Sequence, residues 1–240
     1  MDVSIIIPTL DEATSLPATL DSLRDQQPAP VEIMVVDGGS TDETREIARD
    51  RGARVIESPP GRGRQLHTGA SAARGTVLLF LHADTMLPPG AFSAMLGLLT
   101  DPGTVGGRFR LSFPHRHPVL DMIAFLSRLP WTWTSYGDSA FFARRETYHR
   151  TGGFEDVSLL EDVRFYRALK KQGRVLVIPA PVVTSCRRFC RRGPLRQLIE
   201  NIGLVASHSA GRGWERLTNR YCPLNETEDH LARPAERSHP

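Results

Sequence analysis

The sequence predicts an α/β fold in one domain: a mostly parallel sheet flanked by helices. Three observations carry this. Short apolar runs at 3–7, 31–36 and 77–81 have the length and composition of buried strands. The stretches between them space their apolar residues like helices, and the links between elements are short.

Taken in order, residues 3–7 form a strand that Pro8 ends, and Leu16, Leu20 and Leu23 follow with helical spacing. The second strand, 31–36, delivers Asp37 at its carboxyl end, where Gly38 and Gly39 permit a tight turn and close approach of a ligand. Ser40 with Glu43 three residues later reads as a capping box opening a helix over 42–51. A short strand at 54–57 ends at Pro59-Pro60-Gly61, and a helix through about 64–73 leads to the fourth strand, 77–81. Beyond residue 100 the pattern loosens. A longer strand is expected over 105–113, a helix over 119–129, a strand over 139–143 and a helix over 161–172 closed by Gly173. A strand at 175–178 stops before Pro179, and 195–208 is an amphipathic helix. Residues 225–240 are polar and contain proline.

The chain has 240 residues, enough for one large domain or at most two small ones. Its 40% hydrophobic and 24% charged residues are ordinary for a soluble globular protein, and a net charge of +3 is too mild to argue for nucleic acid. Cys186, Cys190 and Cys222 lack zinc spacing, which points to reduced thiols in a cytoplasm. No secretory signal and no spanning apolar run is visible; a peripheral membrane contact stays open.

Acids recur at strand ends. Asp11 and Glu12 follow the first strand, Asp37 ends the second, His82 and Asp84 follow the fourth, and Glu161 and Asp162 open a helix. A parallel sheet presents the carboxyl ends of strands one, two and four on one edge, so Asp11, Asp37 and Asp84 are expected to converge there. Convergent carboxylates in such a crevice can hold a divalent cation, Mg²⁺ or Mn²⁺, that in turn binds phosphates. They can also hydrogen-bond base and sugar groups. Any one of them can instead cap a helix, a role that suits Asp11 and Asp162.

The segments Ser4-Ile5-Ile6-Ile7-Pro8-Thr9-Leu10-Asp11-Glu12, Val35-Val36-Asp37-Gly38-Gly39-Ser40-Thr41-Asp42 and Leu81-His82-Ala83-Asp84 resemble the successive signatures of family-2 glycosyltransferases. The resemblance continues through Gly152-Gly153-Phe154 and Glu161-Asp162, spanning roughly residues 4–165. It implies a GT-A (Rossmann-like) fold, a nucleotide-diphosphate sugar donor, and inverting transfer to a hydroxyl of a small-molecule or lipid acceptor. The domain would occupy 1–220, with a nucleotide-binding half to about 100, an acceptor half beyond it, and a polar tail at 221–240. Pro8, Thr9, Leu10, Asp11, Glu12 and Asp37 would surround the donor's base and ribose. Asp84 would be the metal-binding acid of the D-x-D motif and Asp162 the general base. His82 departs from that motif and leaves it one carboxylate; it either lies beside the donor or is a packed, neutral histidine. Glu161 would raise the proton affinity of Asp162 by like-charge repulsion, or cap the helix. Gly153 would lie near the transferred sugar or acceptor, or merely end a helix. Gly61-Arg62-Gly63-Arg64-Gln65 and Leu81-His82-Ala83-Asp84-Thr85 most resemble a small bacterial subgroup named for arsenosugar biosynthesis or radical-SAM/selenodomain association.

Arg62 and Arg64 lie in a glycine-rich loop expected just before a helix, which suits phosphate binding, although exposed arginines are often simply solvated. Arg187, Arg188, Arg191, Arg192 and Arg196 crowd into ten residues. They form a solvated segment, a phosphate clamp or a patch for anionic lipid. Without a full Q-x-x-R-W signature, processive synthesis is not expected. Leu195, Leu198, Ile199, Ile202 and Val205 either pack on the core or rest on a membrane. Trp131, Trp133 and Tyr136 stack on a sugar or pack in the core. Two rival functions remain. A nucleotidyltransferase usually carries a glycine-rich loop after its first strand, where this chain has Pro8-Thr9-Leu10-Asp11; the other rival is a non-catalytic nucleotide-sugar-binding protein.

Overall fold

A computed structural model of the protein describes residues 1–132, 137–154 and 161–209. Trp133, Tyr136, Cys222 and the 221–240 tail lie outside the described residues. The first half alternates as expected: β1 (Val3–Thr9), α1 (Leu16–Arg24), β2 (Glu32–Asp37), α2 (Thr44–Asp50), β3 (Arg54–Glu57), α3 (Arg62–Ala72) and β4 (Val77–Phe80). Then follow β5 (Thr85–Met86), α4 (Ala91–Leu98), β6 (Thr104–Ser112), α5 (Pro118–Leu126), a 3₁₀ turn (Gly137–Ser139), β7 (Phe141–Arg144) and α6 (Arg145–Arg150). The described chain closes with α7 (Glu161–Lys170), β8 (Arg174–Thr184), α8 (Arg187–Arg192) and α9 (Pro194–Ser209).

The strands form one sheet in the order β3-β2-β1-β4-β7-β6-β8-β5. β1, β2, β3 and β4 run parallel; β7 is antiparallel to both β4 and β6, and β5 is antiparallel to β8. Side chains of alternating residues build a core on each face. Ile5, Ile7, Val35 and Leu79 pack with Leu16 and Leu20 of α1 and Phe92 and Met95 of α4. Ile6, Val36, Leu78 and Phe80 pack with Leu66 and Ala70 of α3 and Phe165 and Leu169 of α7.

Several boundaries differ from the sequence expectation, each for a local reason. β1 runs through Pro8 to Thr9. The carbonyl of Ile6 accepts from the amide of Leu81 on the β4 side, so the Pro8 nitrogen faces that side beyond the end of β4. No ladder bond is lost there. β8 likewise runs through Pro179 and Pro181. A shift in its pairing with β6, from Phe109 opposite Ile178 to Arg110 opposite Pro181, absorbs the prolines in a bulge. The capping box is not formed: the helix begins at Thr44, and the Ser40 hydroxyl is used by Asp37 and Asp11 instead. β5, α4, α6 and α8 are short or weakly amphipathic, and no pattern in the sequence marks them.

α3 lies directly on β1 and β2 because Gly69 has no side chain. A Cβ at Gly69 would stand 2.5 Å from Ile6 Cγ2 and 2.9 Å from Val36 Cγ2. This close seat brings the first turn of α3 over the carboxyl edge of the sheet. We expect Gly69→Val to lower unfolding free energy by about 1–3 kcal/mol through overpacking, read as a lower urea midpoint with an unchanged slope. Wild-type stability in that variant would refute the close seat.

Candidate active site

The carboxyl ends of β1, β2 and β4 share one edge, and the winding of the sheet reverses between β1 and β4, the crevice where open α/β sheets take ligands. Two loops on this edge are laced together by side chains and backbone. The amides of Asp11, Glu12 and Ala13 donate to Ser40 Oγ at 2.9 Å, Thr44 Oγ1 at 2.8 Å and Asp42 Oδ2 at 3.0 Å. In return, Asp11 Oδ1 accepts from the Thr41 amide at 2.7 Å, with Asp11 at a left-handed φ of +52°. Gln65, from the first turns of α3, donates through Nε2 to the carbonyls of Thr9 and Val36, both at 2.8 Å.

Asp37 is only 1% exposed. Its carboxylate accepts from the amides of Gly39 at 3.1 Å and Ser40 at 3.0 Å, and from the hydroxyls of Ser40 and Thr9. In this geometry its carboxylate holds the loop through these bonds. Leu10 is exposed on the same edge, and Arg45 approaches Asp37 at 3.9 Å.

A second group gathers past the end of β4. His82 Nδ1 lies 2.9 Å from Asp138 Oδ1 in the 3₁₀ turn. Arg187 Nη2, at the start of α8, lies 2.7 Å from Glu12 Oε2 and 3.6 Å from Asp84 Oδ2. Burial pushes the Asp84 carboxyl up from its ordinary range, and the charges of Asp138 and Glu12 push it further, against the pull of His82 and Arg187. The end of β8 is fastened here: the Ser185 amide donates to the Asp84 carbonyl at 3.2 Å, and the Thr85 and Thr184 hydroxyls meet at 2.9 Å.

The third group joins α3 to α7. Arg62 contacts Glu161 directly through Nε, and Glu161 is 2% exposed. Although burial opposes its charge, the carboxylates of Glu161, Asp162 and Asp138 raise the proton affinity of Arg62 further and hold it charged. Asp162 is also buried, and its carboxyl is pushed up to about 6 by burial and then by Glu161; Arg62, the Val163 amide and His82 pull the other way. The like-charge effect expected of Glu161 is therefore present.

The remaining site residues are placed differently. Arg62 and Arg64 stand inside α3 and not in a loop before it, since the helix starts at Arg62. Arg64 is exposed, and Arg62 turns toward Glu161. Gly153 has φ +74°, and a Cβ there would lie 2.6 Å from Tyr148 Oη, so it packs under that ring at the end of α6. Sequence reasoning missed Asp138, which lies in an irregular stretch, and Tyr148, whose hydroxyl lies 3.1 Å from His67 Nδ1. Nor did it foresee that Arg187 meets Glu12 and Asp84 across 175 residues of sequence separation from Glu12.

Among the described residues no group of three His, Cys, Asp or Glu side chains forms a ready-made metal cage. Asp84, with Glu12 and Asp138 within electrostatic reach, offers hard oxygen donors. That partial set fits a cation that takes its remaining ligands from substrate phosphates.

The sequence model of glycosyl transferase family 2 matches residues 4–199. The chain belongs to that family. A PGL/p-HBAD biosynthesis glycosyltransferase of Mycobacterium bovis is 46% identical over 91 residues, covering 35% of this chain and 36% of the relative. An uncharacterized glycosyltransferase of the same species is 33% identical over 152 residues, covering 62% of this chain. The aligned parts thus span about a third and 61% of these relatives' own lengths. The fold matches solved GT-A structures. The mannosyltransferase PcManGT of Pyrobaculum calidifontis, in complex with GDP-Man and Mn²⁺, superposes with a TM-score of 0.63 at 21% identity, over 76% of this chain and 56% of that one.

The raised affinity of Asp162 has a stability consequence in this family-2 site. The folded protein binds its proton more tightly than the unfolded chain does, so stability falls as pH rises from the ordinary aspartate range through about 6, and the penalty is complete above that. We expect Asp162→Asn to be more stable than wild type at pH 7.5 by about 2 kcal/mol. The advantage should vanish below pH 4 in denaturant titrations; a variant less stable at both pH values would contradict the assignment.

Proposed function

We propose that the protein transfers a sugar from a nucleotide-diphosphate donor to an acceptor hydroxyl with inversion. The observation that carries this reading is the pairing of two sites in a family-2 chain. A buried aspartate, Asp162, with a carboxyl near 6 stands with Arg62 and His82, while Asp84 stands at the end of β4 beside Glu12 and Arg187. The loop from Pro8 through Thr9, Leu10, Asp11 and Glu12 would enclose the base and ribose, with Asp37 acting by holding the turn of Gly38 and Gly39 in shape. His82, oriented by Asp138, and Arg62 and Arg64 would line the phosphate side, and Glu161 and Gly153 the side of the sugar and acceptor.

In the reaction the acceptor oxygen attacks the anomeric carbon from the face opposite the leaving group. A carbon–oxygen bond forms as the bond to the diphosphate oxygen breaks, and the nucleoside diphosphate leaves with the electron pair. The hydroxyl proton passes to Asp162, which is ionised at neutral pH yet basic enough to accept it. Mg²⁺ or Mn²⁺ held at Asp84 would stabilise the negative charge on the departing diphosphate. The subgroup resemblance of Gly61–Gln65 and His82–Thr85 is compatible with this reading, with a small-molecule or lipid acceptor.

The test is transfer with a panel of UDP-, GDP- and dTDP-sugars and Mn²⁺. Asp162→Asn is expected to reduce kcat by a factor on the order of 100 or more, while donor binding by thermal shift is retained. The acid limb of the wild-type profile should have its midpoint near pH 6. Full activity in Asp162→Asn would overturn the assigned base, and donor hydrolysis or binding without transfer to any hydroxyl acceptor would favour a binding protein.

We also infer peripheral contact with an anionic lipid surface. No described helix is long and apolar enough to cross a membrane. Leu195, Ile199 and Ile202 are exposed at helical spacing on α9, while Leu198 packs against the core, and the preceding sequence is rich in arginine. Sedimentation with phosphatidylglycerol vesicles, but not with phosphatidylcholine vesicles, is expected, and Ile199→Glu should weaken it severalfold. Equal behaviour with both vesicles, or full binding by the variant, would overturn the lipid reading of this face.

A further inference from the structure

Arg187 occupies a position that the reaction scheme above does not use. Its Nη2 faces two carboxylates at once, Glu12 Oε2 at 2.7 Å and Asp84 Oδ2 at 3.6 Å, and its side chain is still 39% exposed. The backbone beneath it is fixed. The Arg187 amide donates to Ser185 Oγ at 3.2 Å, and the Ser185 amide donates to the Asp84 carbonyl at 3.2 Å. The guanidinium therefore stands on an anchored stem, within reach of both carboxylates.

The charges around it give that position a purpose. Among the described contacts, five carboxylates, Glu12, Asp84, Asp138, Glu161 and Asp162, gather with the guanidinium groups of Arg62 and Arg187. Arg62 is committed to Glu161 by direct contact. An entering diphosphate would thus meet a surplus of negative charge unless positive charge is supplied. A divalent cation on Asp84 would compete with Arg187 for the same carboxylate. Displaced, the arginine keeps a planar set of donors suited to phosphate oxygens.

We propose that Arg187 is an exchangeable counter-ion: it neutralises Asp84 while the site is empty, yields Asp84 to the divalent cation, and then binds the donor's diphosphate. This rests on the nucleotide-sugar reading of the site. It makes Arg187 a diphosphate-binding residue whose effects on metal and on nucleotide have opposite signs.

The experiment compares wild type, Arg187→Gln and Arg187→Lys by calorimetry and thermal shift, first with Mn²⁺ alone and then with UDP or GDP in saturating Mn²⁺. Arg187→Gln is expected to bind Mn²⁺ alone about threefold more tightly, because a competing cation is gone. It should bind the nucleoside diphosphate about tenfold more weakly, because a charged donor is lost. Arg187→Lys should recover part of the nucleotide affinity. Weaker binding of both probes would mean a structural role, and unchanged Mn²⁺ binding would mean a clamp without exchange; either overturns the proposal. If wild type binds neither nucleotide, the nucleotide-sugar reading fails first. If wild type binds one and Arg187→Gln binds it equally well, only the counter-ion proposal fails.

Discussion

The contact between Arg62 and Glu161 is the interaction on which the rest of the site depends. It ties the first turn of α3 to the first turn of α7 through two residues 99 positions apart in the chain. Two adjacent buried carboxylates would repel each other and resist desolvation without a fixed positive charge between them. Arg62 supplies that charge and is itself kept ionised by it. The raised carboxyl of Asp162 is the balance left over: strong enough repulsion and burial to lift it, enough compensation to stop it near 6.

The position of that contact follows from packing beneath it. Gly69 lets α3 sit on Ile6 and Val36, and Gln65 fastens the same helix to the ends of β1 and β2. On the same face of the sheet, Phe80, Tyr148, Phe154 and Phe165 form an aromatic cluster that supports α7 from below, with Phe154 and Phe165 centroids 4.6 Å apart. The Arg62–Glu161 contact is thus laid over a packed floor that fixes where the two helices meet.

Much of this is readable from the chain alone. The parallel half is legible because fully buried strands leave continuous apolar runs, and the convergence of Asp11, Asp37 and Asp84 on one edge follows from parallel topology. The Asp162 environment is partly legible too, since Glu161 precedes it directly. Other features depend on contacts that no local pattern encodes. Ser40 with Glu43 satisfies a capping signature, yet the hydroxyl finds a buried carboxylate in Asp37 and the helix starts later. Asp138 becomes notable only because the 3₁₀ turn sets it against His82. The prolines of β8 argue against a strand locally, but pairing with β6 on either side of a bulge outweighs them.

Those same prolines matter at the margin of the sheet. β5 covers β8 only at Val183 and Thr184, which leaves the strand's more N-terminal stretch near the border of an eight-stranded sheet. A bare border strand invites edge-to-edge growth between molecules. Pro179 and Pro181 cannot offer an N–H to an incoming strand, and the bulge between them bends the border out of register. The irregularity that hides β8 from a sequence reader thereby works against self-association, a benefit felt during folding and storage and unconnected with catalysis.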